Sequence, residues 1–356
     1  MNISRSETLY NLTVKGNTNT ALIITSALNR FYLSGFRSSD GVVLVESGGA
    51  SCLVDFRYIE ALKSAHTDMR EILCEGALFT HCKKLLKDRN IKRIGLELKS
   101  LTVFEYEKLT ALFEGVEAFD ISPHLECMRM IKTQYETECI TKAQRICERA
   151  LDHVLPCLKG KREIDVALEL EIFMRKNGCS EKSFDTIVVS GENSSLVHGA
   201  PGERVIKQGD IVLFDFGGFY NGYASDMSRT VAVGHASELH KSVYAILNQA
   251  QSACKDILKA GVIGSRVHET AENIIRSNNY GDNFGHALGH GVGLAIHEEP
   301  RLSPFYNSPI PENSVVTIEP GIYLPGDFGM RLEDMVIVNK DGCEVITDFS
   351  RELLIV

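Results

Sequence analysis

At 356 residues the chain exceeds what one hydrophobic core commonly serves, and 44% apolar residues are enough to fill two. Its net charge of −9 repels phosphate backbones and anionic lipid, which speaks against nucleic acid or membrane as partner and for a peptide or small-molecule substrate. Ten cysteines without a C-x-x-C pair, a start (MNISRSETLYNLTVKG) lacking an apolar leader core, and no run of membrane-spanning length predict a reduced, cytoplasmic protein.

In chain order, short apolar runs (ALIITSAL at 21–28, GVVLVESGGASCLVDF at 41–56) alternate with helical stretches (IEALKSA, then Phe79 to Lys87). This is the rhythm of a mixed α/β domain. The rhythm lapses over FDISPHLECMRMIK at 119–132, so the boundary is placed there, with domains at 1–128 and 129–356. Thr133 and Glu136 then have the T-x-x-E spacing of a capping box, and Ile140, Ala143, Ala150, Leu151 and Val154 recur at helical spacing. A second helix runs through IDVALELEIFMRKNG to Gly178, and two more span about Ser237 to Lys259 and about Ser265 to Ser277. TIVVS, DIVLFDFGG, YASDMSRTVAV, SVVTIEPGIYL and MRLEDMVIV read as strands. Helices covering a largely antiparallel sheet give an α+β second domain.

Asp215 lies inside the apolar strand IVLFDFGG, where an ionised, unpaired carboxylate costs several kcal/mol. Asn221-Gly222 is the dipeptide of a two-residue type I′ hairpin; used so, it sets Tyr220 against Tyr223 and Asp215 diagonal to Asp226 on one face. Two carboxylates aimed together call for a cation. Alternatively Asp226 pairs with Arg229 and Asp215 bonds to turn amides, and these two residues alone leave the choice open. Glu319 after SVVTI, and Glu333 alternating with Arg331 in MRLEDMVIV, tip it: four carboxylates balance two divalent cations.

HALGHGVGLAIHEEP at 286–300 holds three histidines and three glycines. Its glycines argue against a helical zinc pair at His286 and His290 and for a loop or irregular strand whose backbone is approached closely. Glu298, Glu299 and Pro300 after His297 exclude an H-E-x-x-H site. One histidine among four carboxylates is an oxygen-rich donor set, which favours Mn²⁺, with Co²⁺, Fe²⁺ or Zn²⁺ able to substitute.

LFDFGG, SDMSRT, GHALGHGVGLAIHEEP, TIEPGIY and GMRLED, in that order, resemble the pita-bread metallopeptidases of the aminopeptidase P and prolidase branch. NRFYLSGF and LVDFRYIEA resemble that branch's creatinase-like N-terminal domain. The resemblance implies a curved, largely antiparallel catalytic domain and two divalent ions. Asp215 would bind one ion, Asp226 and Glu333 bridge both, and His290 and Glu319 hold the second. It further implies that His198 in SSLVHGAP contacts substrate, that His286 and His297 line the pocket, and that Arg331 orients carboxylates. The reaction implied is hydrolysis of the N-terminal Xaa-Pro bond by a metal-bridging hydroxide, with His297 donating to the oxyanion and Glu319 shuttling a proton. A homodimer is expected on the same ground.

The first reading is an Xaa-Pro aminopeptidase, and its nearest rival an Xaa-Pro dipeptidase. A non-catalytic binding protein of the same fold, or a creatinase-like hydrolase working without metal, would lack the ligand set, which here is whole. Cysteine-protease chemistry has little support, since no cysteine lies near the histidine cluster in sequence.

Overall fold

The computed structural model describes residues 4–356, and the chain divides into two units between Met128 and Arg129. The first unit is built on one mixed sheet, ordered β4-β3-β2-β1-β5-β6. Its strands are β1 (Thr20–Ile24), β2 (Val42–Glu46), β3 (Gly49–Val54), β4 (Arg70–Leu73), β5 (Arg93–Leu96) and β6 (Glu117–Asp120). β1 to β3 pair antiparallel, while β4, β5 and β6 join in parallel. Ala21 to Ile24 and Val42 to Val45 are all buried, as near-continuous apolar strands covered on both faces must be.

Helices α1 (Arg5–Val14), α2 (Ala27–Ser34), α3 (Ile59–Ser64), α4 (Leu78–Leu86), α5 (Val103–Leu112) and α6 (Ser122–Met130) complete this unit's elements. The division between the units falls inside α6, where the sequence rhythm lapses. Only Ser122 and Leu125 of that helix are buried, so it carries no apolar stripe to read.

The second unit opens with α7 (Gln134–Val154), followed by α8 (Glu163–Lys176), α9 (Glu238–Ile257) and α10 (Gly264–Ser277). Thr133 caps α7 as its spacing predicts: Glu136 Oε2 accepts from the Thr133 amide at 2.8 Å, and the Thr133 hydroxyl accepts from the Glu136 amide at 3.4 Å. The strands are β7 (Glu181–Lys182), β8 (Ile187–Ser190), β9 (Ile211–Phe216), β10 (Gly218–Tyr220), β11 (Tyr223–Ala224), β12 (Met227–Ala232), β13 (Gly289–Gly291), β14 (Glu298–Leu302), β15 (Val315–Ile318), β16 (Gly321–Leu324), β17 (Phe328–Arg331), β18 (Asp334–Val338), β19 (Cys343–Val345) and β20 (Leu354–Ile355).

They form sheets β20-β12-β9-β8 and β14-β13-β15-β18-β19, with smaller sheets β11-β10-β7 and β16-β17. Two apolar cores hold the helices on. Leu151 and Leu170 of α7 and α8 pack with Phe214 and Val231, and Leu247 and Val267 of α9 and α10 pack with Val316 and Val336. Each such side chain contributes about 1.5–3 kcal/mol on burial. Among the described residues every cysteine is free and no helix is long and apolar enough to cross a membrane.

Three runs read above as single strands are each broken in two. YASDMSRTVAV splits at Ser225-Asp226, SVVTIEPGIYL at Glu319-Pro320 and MRLEDMVIV at Leu332-Glu333. At each break the chain leaves one sheet for another: β11 and β12, β15 and β16, and β17 and β18 lie in different sheets. Apolar alternation continues through such a bend, so it hides the break. Pro320, with no amide to donate to a ladder, is the one local signal. Asp226, Glu319 and Glu333 occupy the three breaks.

Candidate metal centre

The hairpin between β9 and β12 turns at Asn221 and Gly222, whose φ of 47° and 93° are the positive values a type I′ turn needs. Tyr220 opposes Tyr223 and Asp215 opposes Ser228. Asp226, two residues before Ser228, therefore lies diagonal to Asp215 on one face. The Glu319 amide donates to Leu288 O at 2.9 Å and the Glu333 amide to Ser228 O at 3.3 Å, which binds two of the breaks to the histidine segment and the hairpin. His290 sits in β13, between β14 and β15. A Cβ at Gly289 would overlap the Thr317 carbonyl, and one at Gly291 the Glu299 carbonyl, so the glycines flanking His290 permit the close approach of both neighbours.

Ligand atoms of Asp226, His290 and Glu333 lie within 4.8 Å of one another. Glu319 joins them through His290, whose Nε2 is 3.4 Å from Glu319 Oε1 and 3.5 Å from Asp226 Oδ2. Nδ1 of His290 faces the Gly291 carbonyl at 3.2 Å; a carbonyl only accepts, so Nδ1 carries the proton and Nε2 presents a bare lone pair to two carboxylates. Burial holds the His290 imidazole down at about 3, with His297 adding to the effect. Asp215 is tied instead to the Arg331 guanidinium.

Burial, then the neighbouring Glu333, Asp215 and Glu319, raises the Asp226 carboxyl, and burial with Glu319 and Asp215 raises Glu333. Burial also pushes Glu319 up to about 8 despite Arg331. Asp215 Oδ1 and Glu333 Oε1 are buried without a hydrogen-bond partner. Lone pairs facing carboxylates, raised carboxyls and orphaned oxygens all ask for positive charge that the described side chains do not supply there.

The remaining predicted site residues lie around this cluster rather than in it. His198, His286, His297 and Arg331 line a cavity of about 710 Å³ that also reaches Asp215, Asp226, His290 and Glu319. His297 packs edge-on against His290, ring centroids 4.4 Å apart. Arg331 is buried and donates to Asp215, to Ser228 Oγ at 2.8 Å and to Tyr323 Oη at 2.7 Å. Tyr323 Oη lies 3.2 Å from His286 Nε2, and Nδ1 of that ring lies 2.8 Å from the Ala287 carbonyl. Nδ1 thus carries the His286 proton, and burial, then Arg331, keeps the ring neutral with its value down at about 4.

Residues 138–340 match metallopeptidase family M24, and residues 13–131 match the Creatinase/Prolidase N-terminal domain. The chain belongs to family M24. Among solved structures it is similar to an Xaa-Pro dipeptidase from Bacillus anthracis, at 37% identity over 99% of both chains with a TM-score of 0.94. It is similar to an X-Pro aminopeptidase from Thermotoga maritima at the same 37% identity, over 95% of this chain and 97% of that one, TM-score 0.90. An Xaa-Pro dipeptidase of Pyrococcus furiosus is 34% identical over 94% of each chain.

As an M24 metallopeptidase the enzyme works with divalent metal ions, and the unmet demand for positive charge at Asp226, His290 and Glu333 fits such ions. The cluster also has hydrogen-bond partners that its sequence motifs do not mark. Ser228 and Thr317 each hold a carboxylate oxygen, of Glu333 at 2.8 Å and of Glu319 at 3.1 Å, and Tyr323 links Arg331 to His286. Asp226, Ser228 and Thr230 stand two apart across the start of β12, a polar face that could have been read as site-facing. Thr317 and Tyr323 left no comparable signal.

Proposed function

We propose that this M24 enzyme hydrolyses the bond between an N-terminal residue and a following proline, using two divalent ions, Mn²⁺ by preference. Asp226 and Glu333 would hold both ions, with Asp215 completing one set and His290 and Glu319 the other. The observation that carries the reading is His290: its unprotonated Nε2 is turned on the carboxyl groups of Asp226 and Glu319, a convergence of lone-pair donors of three side chains that a pair of cations would satisfy. Mostly oxygen donors suit Mn²⁺, and four carboxylates balance two divalent charges. When bound, such ions polarise the scissile carbonyl and make water a nucleophile near pH 7.

The chain's own groups do the rest. Asp215 marks the end of the pocket that receives the free α-amine. His297, on the cavity wall, donates a hydrogen bond to the oxygen on which charge develops. Glu319, steadied by Thr317, carries a proton to the departing proline nitrogen. Phe184, Ile187 and Val197 on the cavity wall offer an apolar surface to the proline ring.

Arg301 favours a dipeptide over a longer chain. It lines the same cavity, and its ion-pair neighbour Glu299 is 3.8 Å away, beyond hydrogen-bond reach. That leaves a guanidinium for the substrate's terminal carboxylate, which a dipeptide presents and a longer peptide moves away. The test is hydrolysis of matched Xaa-Pro, Xaa-Pro-Yaa and Xaa-Ala substrates by chelated and Mn²⁺-restored enzyme. Activity should vanish on chelation and return with Mn²⁺, with Xaa-Pro cleaved fastest and Xaa-Ala spared. Full activity of chelated enzyme would discard the metal reading, and preference for Xaa-Pro-Yaa the dipeptide reading.

A further inference from the structure

We propose that Ser228 is a positioning residue that occupies one oxygen of Glu333 and leaves the other free for metal. Ser228 is completely buried and stands on β12 directly opposite Asp215 on β9. Its hydroxyl lies 2.8 Å from Arg331 Nε and 2.8 Å from Glu333 Oε2. A guanidinium can only donate, so the hydroxyl oxygen accepts from Arg331 and its one proton has a single direction left, toward Glu333. Oε2 is thereby made an acceptor, and the proton is excluded from that oxygen. The other oxygen, Oε1, is the buried atom without a partner.

The same serine fixes where Glu333 stands as well as how it is oriented. Its carbonyl accepts the Glu333 amide at 3.3 Å, across the break where β17 gives way to β18. Arg331, held by the hydroxyl on one side, donates on the other to Asp215. One hydroxyl and one guanidinium therefore set the spacing between a carboxylate on β9 and one at the break between β17 and β18. Groups that orient a metal ligand in this way change metal affinity by about 10–100-fold when removed, without touching the ion themselves.

The inference rests on Glu333 being a ligand, and the experiment separates the two claims. Metal-free Ser228→Ala, Ser228→Thr and Glu333→Gln are titrated with Mn²⁺ by calorimetry at one pH, and the melting temperature of each is recorded without metal. Ser228→Ala is expected to bind at least one Mn²⁺ about 10–100-fold more weakly, Ser228→Thr to stay within a few-fold of the parent, and Glu333→Gln to lose tight binding. A loss of less than about tenfold in Ser228→Ala, or an equal loss in Ser228→Thr whatever the melting temperatures, overturns the role of the hydroxyl. Parent-like binding by Glu333→Gln instead overturns the ligand reading beneath it. Should Ser228→Ala not fold, Ser228→Cys, close in shape and a poor donor, takes its place with the same expected loss.

Discussion

Glu333 and Asp334 are consecutive and both buried, yet their carboxylates face opposite electrostatic worlds. Asp334 opens β18 and turns to the chain's own cations: Arg229 Nη2 donates to it at 2.6 Å, Lys255 pairs with it, and Arg351 lies 3.8 Å away. Burial opposes ionisation there, but Arg229 and Lys255 hold its carboxyl below the ordinary range. Glu333, in the break before β18, turns to Asp226 and His290, and burial with Glu319 and Asp215 drives its carboxyl up. A buried charge compensated from within is scaffold, whereas one left uncompensated marks where charge must come from outside.

The largest expected effect is therefore a reversal between neighbours. Asp334→Asn leaves Arg229 and Lys255 without their counter-charge, and breaking a buried pair from one side costs about 3–5 kcal/mol. Glu333→Gln replaces a carboxyl whose charged form burial and its neighbours disfavour, so the metal-free protein should melt about as the parent does while hydrolysis falls to the level of chelated enzyme. Melting curves and assays on both variants decide it. Comparable losses of stability would show that Glu333 is scaffold too.

A smaller effect sharpens the same contrast through pH. The folded value of Glu319 is about 8 against an ordinary 4.5, so its favourable contribution is complete below 4.5 and is lost as pH rises toward 8. The histidines oppose this at lower pH, because burial lowers His286 to about 4 and His290 to about 3, from 6.5. They favour folding increasingly up to 6.5 and are neutral in both states above it. Between pH 6.5 and 8 the raised carboxyls set the slope, and chelated protein should lose melting temperature while Mn²⁺-loaded protein does not. A flat or rising curve for chelated protein would mean that the acidic cluster is not strained.

Much of this site was legible because its signals are local. Asn221-Gly222 dictates the register that puts Asp215 diagonal to Asp226, Thr133 and Glu136 start α7, and the glycines around His290 announce close backbone approach. The strand breaks were not legible, since period-two alternation runs unchanged through a bend, and only Pro320 betrayed one of them. Glu333 was placed on the same face as Arg331 by alternation along one strand; both do reach the site, but across a break between two sheets. Partnerships such as Ser228 with Glu333, 105 residues apart, depend on how sheets meet, and no local pattern encodes that. The helix at 122–130 escaped for a different reason: with two buried positions it has little amphipathic signal.

The smallest expected effect asks how much of Asp334's compensation is redundant. Lys255 is itself half-buried, and burial lowers its ammonium even though Asp334 favours the charge. Lys255→Met keeps the apolar stem and removes the charge, but leaves Asp334 paired with Arg229, which also donates to the Ser350 carbonyl at 2.9 Å and the Phe349 carbonyl at 3.1 Å. The carboxylate remains ionised and loses one donor, so the cost should be about 1–3 kcal/mol, clearly below that of Asp334→Asn. Mn²⁺ affinity should not change, because the Lys255 ammonium bonds to Asp334 and Gln251 and to none of the proposed ligands. A loss in Lys255→Met as large as in Asp334→Asn would show that Arg229 alone cannot hold Asp334, and a fall in Mn²⁺ affinity would show that the two neighbouring carboxylates are not electrostatically separate.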